Sequence, residues 1–234
     1  MIAHLRAFVF YTGYSISLIL CALLCVVVAP FISLRGRYRL CLIWNRFALW
    51  WLRMTCGVTH RIVGAENVPN EPVVVLSNHQ SPWETIFLVL YFVPICPILK
   101  FELLKIPFFG WGLRLLKPIA IDRSKRKEAR QTLLSQGQDR VALGLSVLVF
   151  PEGTRVKPGE IRKFSSGGAE LAIATGAKVL PVAHDAGHFW PAHRFAKRPG
   201  SITLHIGQPI DPMGRDAREL TEEVAVWVQQ QLGD

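Results

Sequence analysis

Residues 73–84 read Val73-Val74-Val75-Leu76-Ser77-Asn78-His79-Gln80-Ser81-Pro82-Trp83-Glu84, and the fold is decided here. Three valines and a leucine in succession have the length and composition of a strand buried on both faces. Ser81-Pro82-Trp83-Glu84 then has the form of a capping box, with a hydroxyl at the N-cap, proline at the first helical position and a carboxylate at the third. A buried strand that passes through a short polar loop into a helix is the opening of an α/β unit.

The pattern repeats along the chain. Apolar runs at residues 117–121, 146–150, 179–184 and 201–206 read as further strands. Helical periodicity fills residues 124–143, with Ser124 as the expected N-cap and Gly137 weakening the middle. It returns near residues 168–175, ahead of Gly176 as a left-handed cap, and again over residues 217–232. The expected class is α/β, with a mixed, partly parallel sheet covered by helices and preceded by N-terminal membrane-associated helices.

Residues 8–32 carry no charge, and a helix over them would span about 37 Å, enough to enter or cross a bilayer. Arg6 stands alone before this segment, whereas Arg35, Arg37 and Arg39 follow it, which places the rest of the chain on the cytoplasmic side. Residues 40–58 form a second apolar stretch. Arg39, Arg46 and Arg53 recur on one stripe of that helix, opposite Trp44, Ala48, Trp51 and Leu52. The helix either lies in the membrane interface or docks on the domain with a solvated arginine edge. Two regions follow: anchoring helices over 1–58 and an α/β domain over 59–234.

The formal net charge of +10 predicts an anionic partner, and the apolar N-terminus favours phospholipid over nucleic acid. The five cysteines include no Cys-x-x-Cys pair and fit reduced, structural thiols. His184, Asp185, His188 and His193 match no standard zinc spacing, so no metal site is expected.

Polar side chains gather where the strands end. Residues 73–77 lead into Asn78, His79 and Glu84, residues 117–121 into Asp122-Arg123, and residues 146–150 into Pro151-Glu152-Gly153-Thr154-Arg155. Ligands of open α/β sheets bind beyond the carboxyl ends of the strands, so the three clusters can share one site. A carboxylate on Nδ1 of His79 would leave Nε2 free to accept a proton, which makes His79 a candidate base and Glu84 its orienting acid. Glu84 also has a purely structural reading as the capping-box acid, and one side chain can serve both. Arg123 and Arg155 follow buried strands and lack a local carboxylate at helical spacing, which suits them to phosphate. Lys100 is a further candidate for charge near a headgroup. Glu152 either accepts from a substrate hydroxyl or stabilises its turn.

These residues resemble the motifs of the glycerolipid acyltransferase superfamily, in particular the bacterial 1-acylglycerol-3-phosphate acyltransferases. His79 and Glu84 are similar to its histidine-x4-acid motif, with Glu where Asp is usual. Residues 119–123, ending in Arg123, resemble the second motif, and Phe150-Pro151-Glu152-Gly153-Thr154-Arg155 the third. Val179-Leu180-Pro181-Val182 resembles the fourth, and all four occur in order over residues 60–210. The resemblance implies acyl transfer from a thioester to the 2-hydroxyl of lysophosphatidate, giving phosphatidic acid in phospholipid biosynthesis. It implies His79 as base, Arg123 and Arg155 at the acceptor phosphate, and Glu152, Gly153 and Thr154 shaping the acceptor site. No cofactor or metal is implied. The donor would be acyl-CoA or acyl carrier protein, and the location the bacterial inner membrane with the catalytic domain on its cytoplasmic side. Another lysolipid acceptor, or a hydrolase using the same pair on water, remains open from the residues alone.

Overall fold

The computed structural model describes residues 1–122, 124–160 and 162–233. Among the described residues, helices α1 (Ile2–Val28) and α2 (Leu34–Cys56) come first. They are followed by β1 (Val58–Val63), β2 (Val74–Ser77), α3 (Pro82–Tyr91), β3 (Ile95–Lys100) and α4 (Phe109–Leu115). Then come β4 (Ile119–Ile121), α5 (Arg126–Ala142), β5 (Ser146–Val149), α6 (Gly167–Thr175), β6 (Val179–His184), β7 (Gly200–Ile206) and α7 (Ala217–Leu232).

The strands form one mixed sheet in the order β1-β7-β6-β2-β5-β3-β4, in which only the β6–β7 pairing is antiparallel. Strands β2, β3, β4, β5 and β6 therefore end at the same edge. On β2, Val73 and Val75 face a core shared with α2, α3 and Phe10 of α1. Val74 and Leu76 face a second core with α5, α6 and α7. Helices on both sides explain the unbroken apolar run, since neither face of β2 meets water.

Two strands were not legible: β1, whose pattern of Thr59, His60 and Arg61 is half exposed, and β3, interrupted by Pro97. Ser124 does not cap α5. Asp122 accepts from the backbone N–H and hydroxyl of Ser124 at 3.0 and 2.7 Å, and the helix begins two residues later without a side-chain cap.

The first two helices form an antiparallel hairpin. Trp51 Nε1 donates to Phe10 O, Trp44 Nε1 to Ser17 Oγ, and Arg37 Nε to Ala29 O, so the contacts run the whole length of both helices. The hairpin is also fastened to the domain. Tyr38 Oη donates to Ile95 O and Leu116 O, and Asn45 Nδ2 to Ile86 O. Trp44, Ala48 and Leu52 are buried and Trp51 half-buried while Arg39, Arg46 and Arg53 are exposed, the division the arginine stripe predicts. The outward side of α1 bears exposed Phe8, Ile16, Leu20 and Leu24, and α1 is long and apolar enough to cross a membrane, consistent with membrane association.

Candidate active site

The site begins with a strand that stops. β2 ends at Ser77, and the capping box starts α3 four residues later: Ser81 Oγ accepts from Trp83 N, and Glu84 accepts from Ser81 N at 2.9 Å. That reach back over the first turn carries the Glu84 carboxylate to the side chain of His79. Oε1 accepts from His79 Nδ1 at 2.8 Å, from Ser81 N at 2.9 Å and from Gln80 N at 3.2 Å. The structural and the orienting arrangement therefore use the same oxygen.

Glu84 is fully buried. Burial raises its pKa, but nearby His184 and the hydrogen bonds from His79 and Ser81 outweigh this and hold it below the usual carboxylate value. With Nδ1 of His79 donating, Nε2 is the unprotonated nitrogen of the neutral ring. The His79 side chain retains 13% exposure against none for Glu84, so the open edge of the ring is Nε2.

The loop after β5 closes against His79. β5 is the parallel neighbour of β2, and its continuation stacks the Phe150 ring on the imidazole at 4.1 Å and 16°. Val156 N donates to His79 O at 2.8 Å. Glu152 is buried, with its carboxyl near the backbone N–H of His79. Burial pushes that carboxyl up to about 8 despite the pull of this N–H. Glu152 lines a small cavity with Asn78, Gln80 and α7.

Arg155 is half-buried, and among the described residues no carboxylate pairs with it and its Nε is buried without a partner. Gly153, at φ 72°, makes the turn that returns the loop, and Thr154 is exposed. Lys100, at the end of β3, is exposed and pairs with Glu102 at 3.2 Å. Arg123 lies outside the described residues. Beside Phe150 and Gly153, a cavity of about 380 Å³ opens between Ile98, Ile121, Leu133 and Gly168.

Sequence reasoning named Asn78 only as a neighbour of His79 and weighed His184 only as a metal ligand, so the contact between them was not foreseen. Both sit at the ends of neighbouring parallel strands, with Ser77 in register with Val182. Applying the strand-end argument to β6 as well as to β2 and β5 would have placed His184 beside the site.

A histidine held by a buried carboxylate thus stands at the strand ends, near a largely apolar cavity and near Arg155, with which no carboxylate pairs among the described residues; such an arrangement can take a proton from a hydroxyl close to an anion. Residues 59–185 match the Acyltransferase family, and the chain belongs to it. Over 98% of its length it is 44% identical to a 1-acyl-sn-glycerol-3-phosphate acyltransferase of Pseudomonas aeruginosa, of which it covers 91%. A protein of the same description from Chlamydomonas reinhardtii is 30% identical over 91% of this chain and 65% of its own. The crystal structure of the lysophosphatidate acyltransferase PlsC from Thermotoga maritima superposes with a TM-score of 0.81 at 26% identity, covering 98% of this chain and 94% of that one.

Proposed function

We propose that this acyltransferase transfers an acyl chain from a thioester to the 2-hydroxyl of 1-acylglycerol-3-phosphate, yielding phosphatidic acid for phospholipid biosynthesis. The observation that carries the reading is the His79–Glu84 pair at 2.8 Å with its open Nε2 edge. His79 takes the hydroxyl proton on Nε2 as the oxygen attacks the thioester carbonyl. Glu84 holds the ring and stabilises the imidazolium that forms. When the C–S bond breaks, His79 returns the proton to the departing thiolate, so the new C–O bond is balanced by a released thiol. The cycle leaves the base as it began.

Arg155, unpaired with any carboxylate among the described residues, is the cation for the acceptor phosphate, with Arg123 as its partner. A guanidinium already neutralised by a protein carboxylate would gain less from that phosphate. Gly153 and Thr154 border the acceptor beside Arg155, and Lys100 adds positive charge at the rim. The donor is acyl-CoA or acyl carrier protein, and no cofactor takes part.

The anchoring region, residues 1–58, holds the domain, residues 59–234, at the cytoplasmic face of the bacterial inner membrane. Because α1 runs back along α2 and the domain, a hairpin lying in one leaflet fits these contacts better than a free span. Membranes carrying the protein, given lysophosphatidate and an acyl thioester, are expected to release thiol and form phosphatidic acid in equal amounts. Thiol release that continues unchanged without lysophosphatidate would identify a hydrolase instead. Preference for a phosphate-free lysolipid would remove the role given to the arginines.

A further inference from the structure

Behind the pair lies a second histidine that the transfer reaction does not use. His184, the last residue of β6, is fully buried. Its Nε2 lies 2.9 Å from Asn78 O, a carbonyl that can only accept, and its Nδ1 lies 3.3 Å from Ala186 N, which can only donate. These two bonds fix the neutral tautomer with the proton on Nε2. The same Nε2 is 3.8 Å from Glu84 Oε2, the carboxylate oxygen that has no hydrogen-bond partner among the described residues. An unpaired buried carboxylate oxygen is costly, and the His184 N–H is a positive dipole beside it.

We propose that His184 is a positioning residue for the His79–Glu84 pair: its N–H steadies the Glu84 carboxylate from behind and fixes the carbonyl of Asn78, one residue before His79. The proposal rests on the reading of His79 as base and Glu84 as its partner. Burial lowers the pKa of His184 even against the pull of Glu84, which keeps the ring neutral. Other titratable groups around the pair are Glu152, from the loop after β5, and Asp185, whose Oδ1 is occupied by Thr203 N.

The imidazole can be tested apart from the backbone. Asn78 also grips the main chain of His184, through Asn78 Nδ2 to His184 O at 2.9 Å and His184 N to Asn78 Oδ1 at 3.0 Å. Both bonds survive any side-chain replacement, so the β2–β6 junction is retained. His184→Phe removes the donor at similar volume, and His184→Gln keeps a neutral amide N–H. In the full-length protein in membranes, His184→Phe is expected to lower kcat roughly 10- to 100-fold, the range for a buried acceptor left unpaired, with each KM within about threefold. The acid limb of its pH–rate profile moves to higher pH, because the carboxylate facing His79 loses the neighbouring N–H dipole that offsets its charge. His184→Gln restores most of kcat. In a Glu84→Gln background, His184→Phe costs little more, since the charge it serves is gone.

An unchanged kcat and acid limb in folded His184→Phe overturns the proposal. So does a loss confined to KM or to protein yield with the limb unmoved, which marks a purely structural residue. Should the Phe protein not fold, His184→Asn, too short to face Glu84, is read against the same criteria. His79→Ala runs alongside: full activity there defeats the base assignment, whereas an inactive His79→Ala beside a normal His184→Phe defeats only the role of His184.

Discussion

Glu84 shows how one residue serves two physical demands. Its Oε1 closes the first turn of α3 and orients His79 at once, so replacing it tests charge and cap separately. Glu84→Gln keeps an oxygen that can accept from Ser81 N but removes the charge that stabilises an imidazolium. Turnover is expected to fall by about 100- to 10,000-fold while the helix content and thermal midpoint change little, as read by thiol release and circular dichroism. Glu152 carries a different signature. Its folded pKa of about 8 lies above the ordinary carboxylate value, so the folded state holds the proton more tightly than the unfolded one. The stability this contributes is complete below the unfolded pKa and is lost as pH rises toward about 8. Glu152→Gln, a neutral side chain of similar shape, should therefore melt above the wild type at pH 8 and draw level with it near pH 4.5, the ordinary value for this side chain. A constant difference across that range would contradict the assignment.

Among the elements, the close approach of α5 to α6 depends on a glycine in each helix: Gly137, and Gly167, where a Cβ would lie 2.9 Å from Leu133 Cδ2. A Cβ at Gly137 would lie 2.5 Å from Leu171 Cδ1 and 2.7 Å from Cδ2, and Leu171 is fully buried. From sequence Gly137 reads as a weak point in a helix, yet the packing explains it as the clearance between two helices. Gly137→Ala gains about 1 kcal/mol of helix propensity and loses about 1–3 kcal/mol to overpacking, so net destabilisation is expected in chemical denaturation. Most helices and the buried strands β2, β5 and β6 were legible because apolar period and caps agree in them. β1 and β3 were not, because their half-exposed or proline-interrupted patterns satisfy no simple template. The His79–Glu84 distance was foreseeable from the capping box. The stack on Phe150 and the His184 contact were not, because they arise from which strands become neighbours, and a single sequence does not print strand order.

For the whole molecule, the hairpin and the sheet share one core, so anchor and domain behave as a single body. Lys197 reinforces this junction: its Nζ lies 3.2 Å from the ring centre of Tyr11 and 4.6 Å from that of Phe10, joining the loop after β6 to α1. The apolar outer side of α1 is thereby left open, as membrane association needs, while Arg39, Arg46 and Arg53 stand exposed on α2. Replacing exposed Leu20 and Leu24 with Asp should release the protein from vesicles containing anionic phospholipid, measured by co-sedimentation. The fold should remain intact, since neither side chain belongs to the core. The central claim, that His79 is the base for acyl transfer, is tested most directly by the purified His79→Ala protein in a thiol-release assay with lysophosphatidate and an acyl thioester. The account predicts a loss of at least about 100-fold with folding retained, and near-normal thiol release would contradict it.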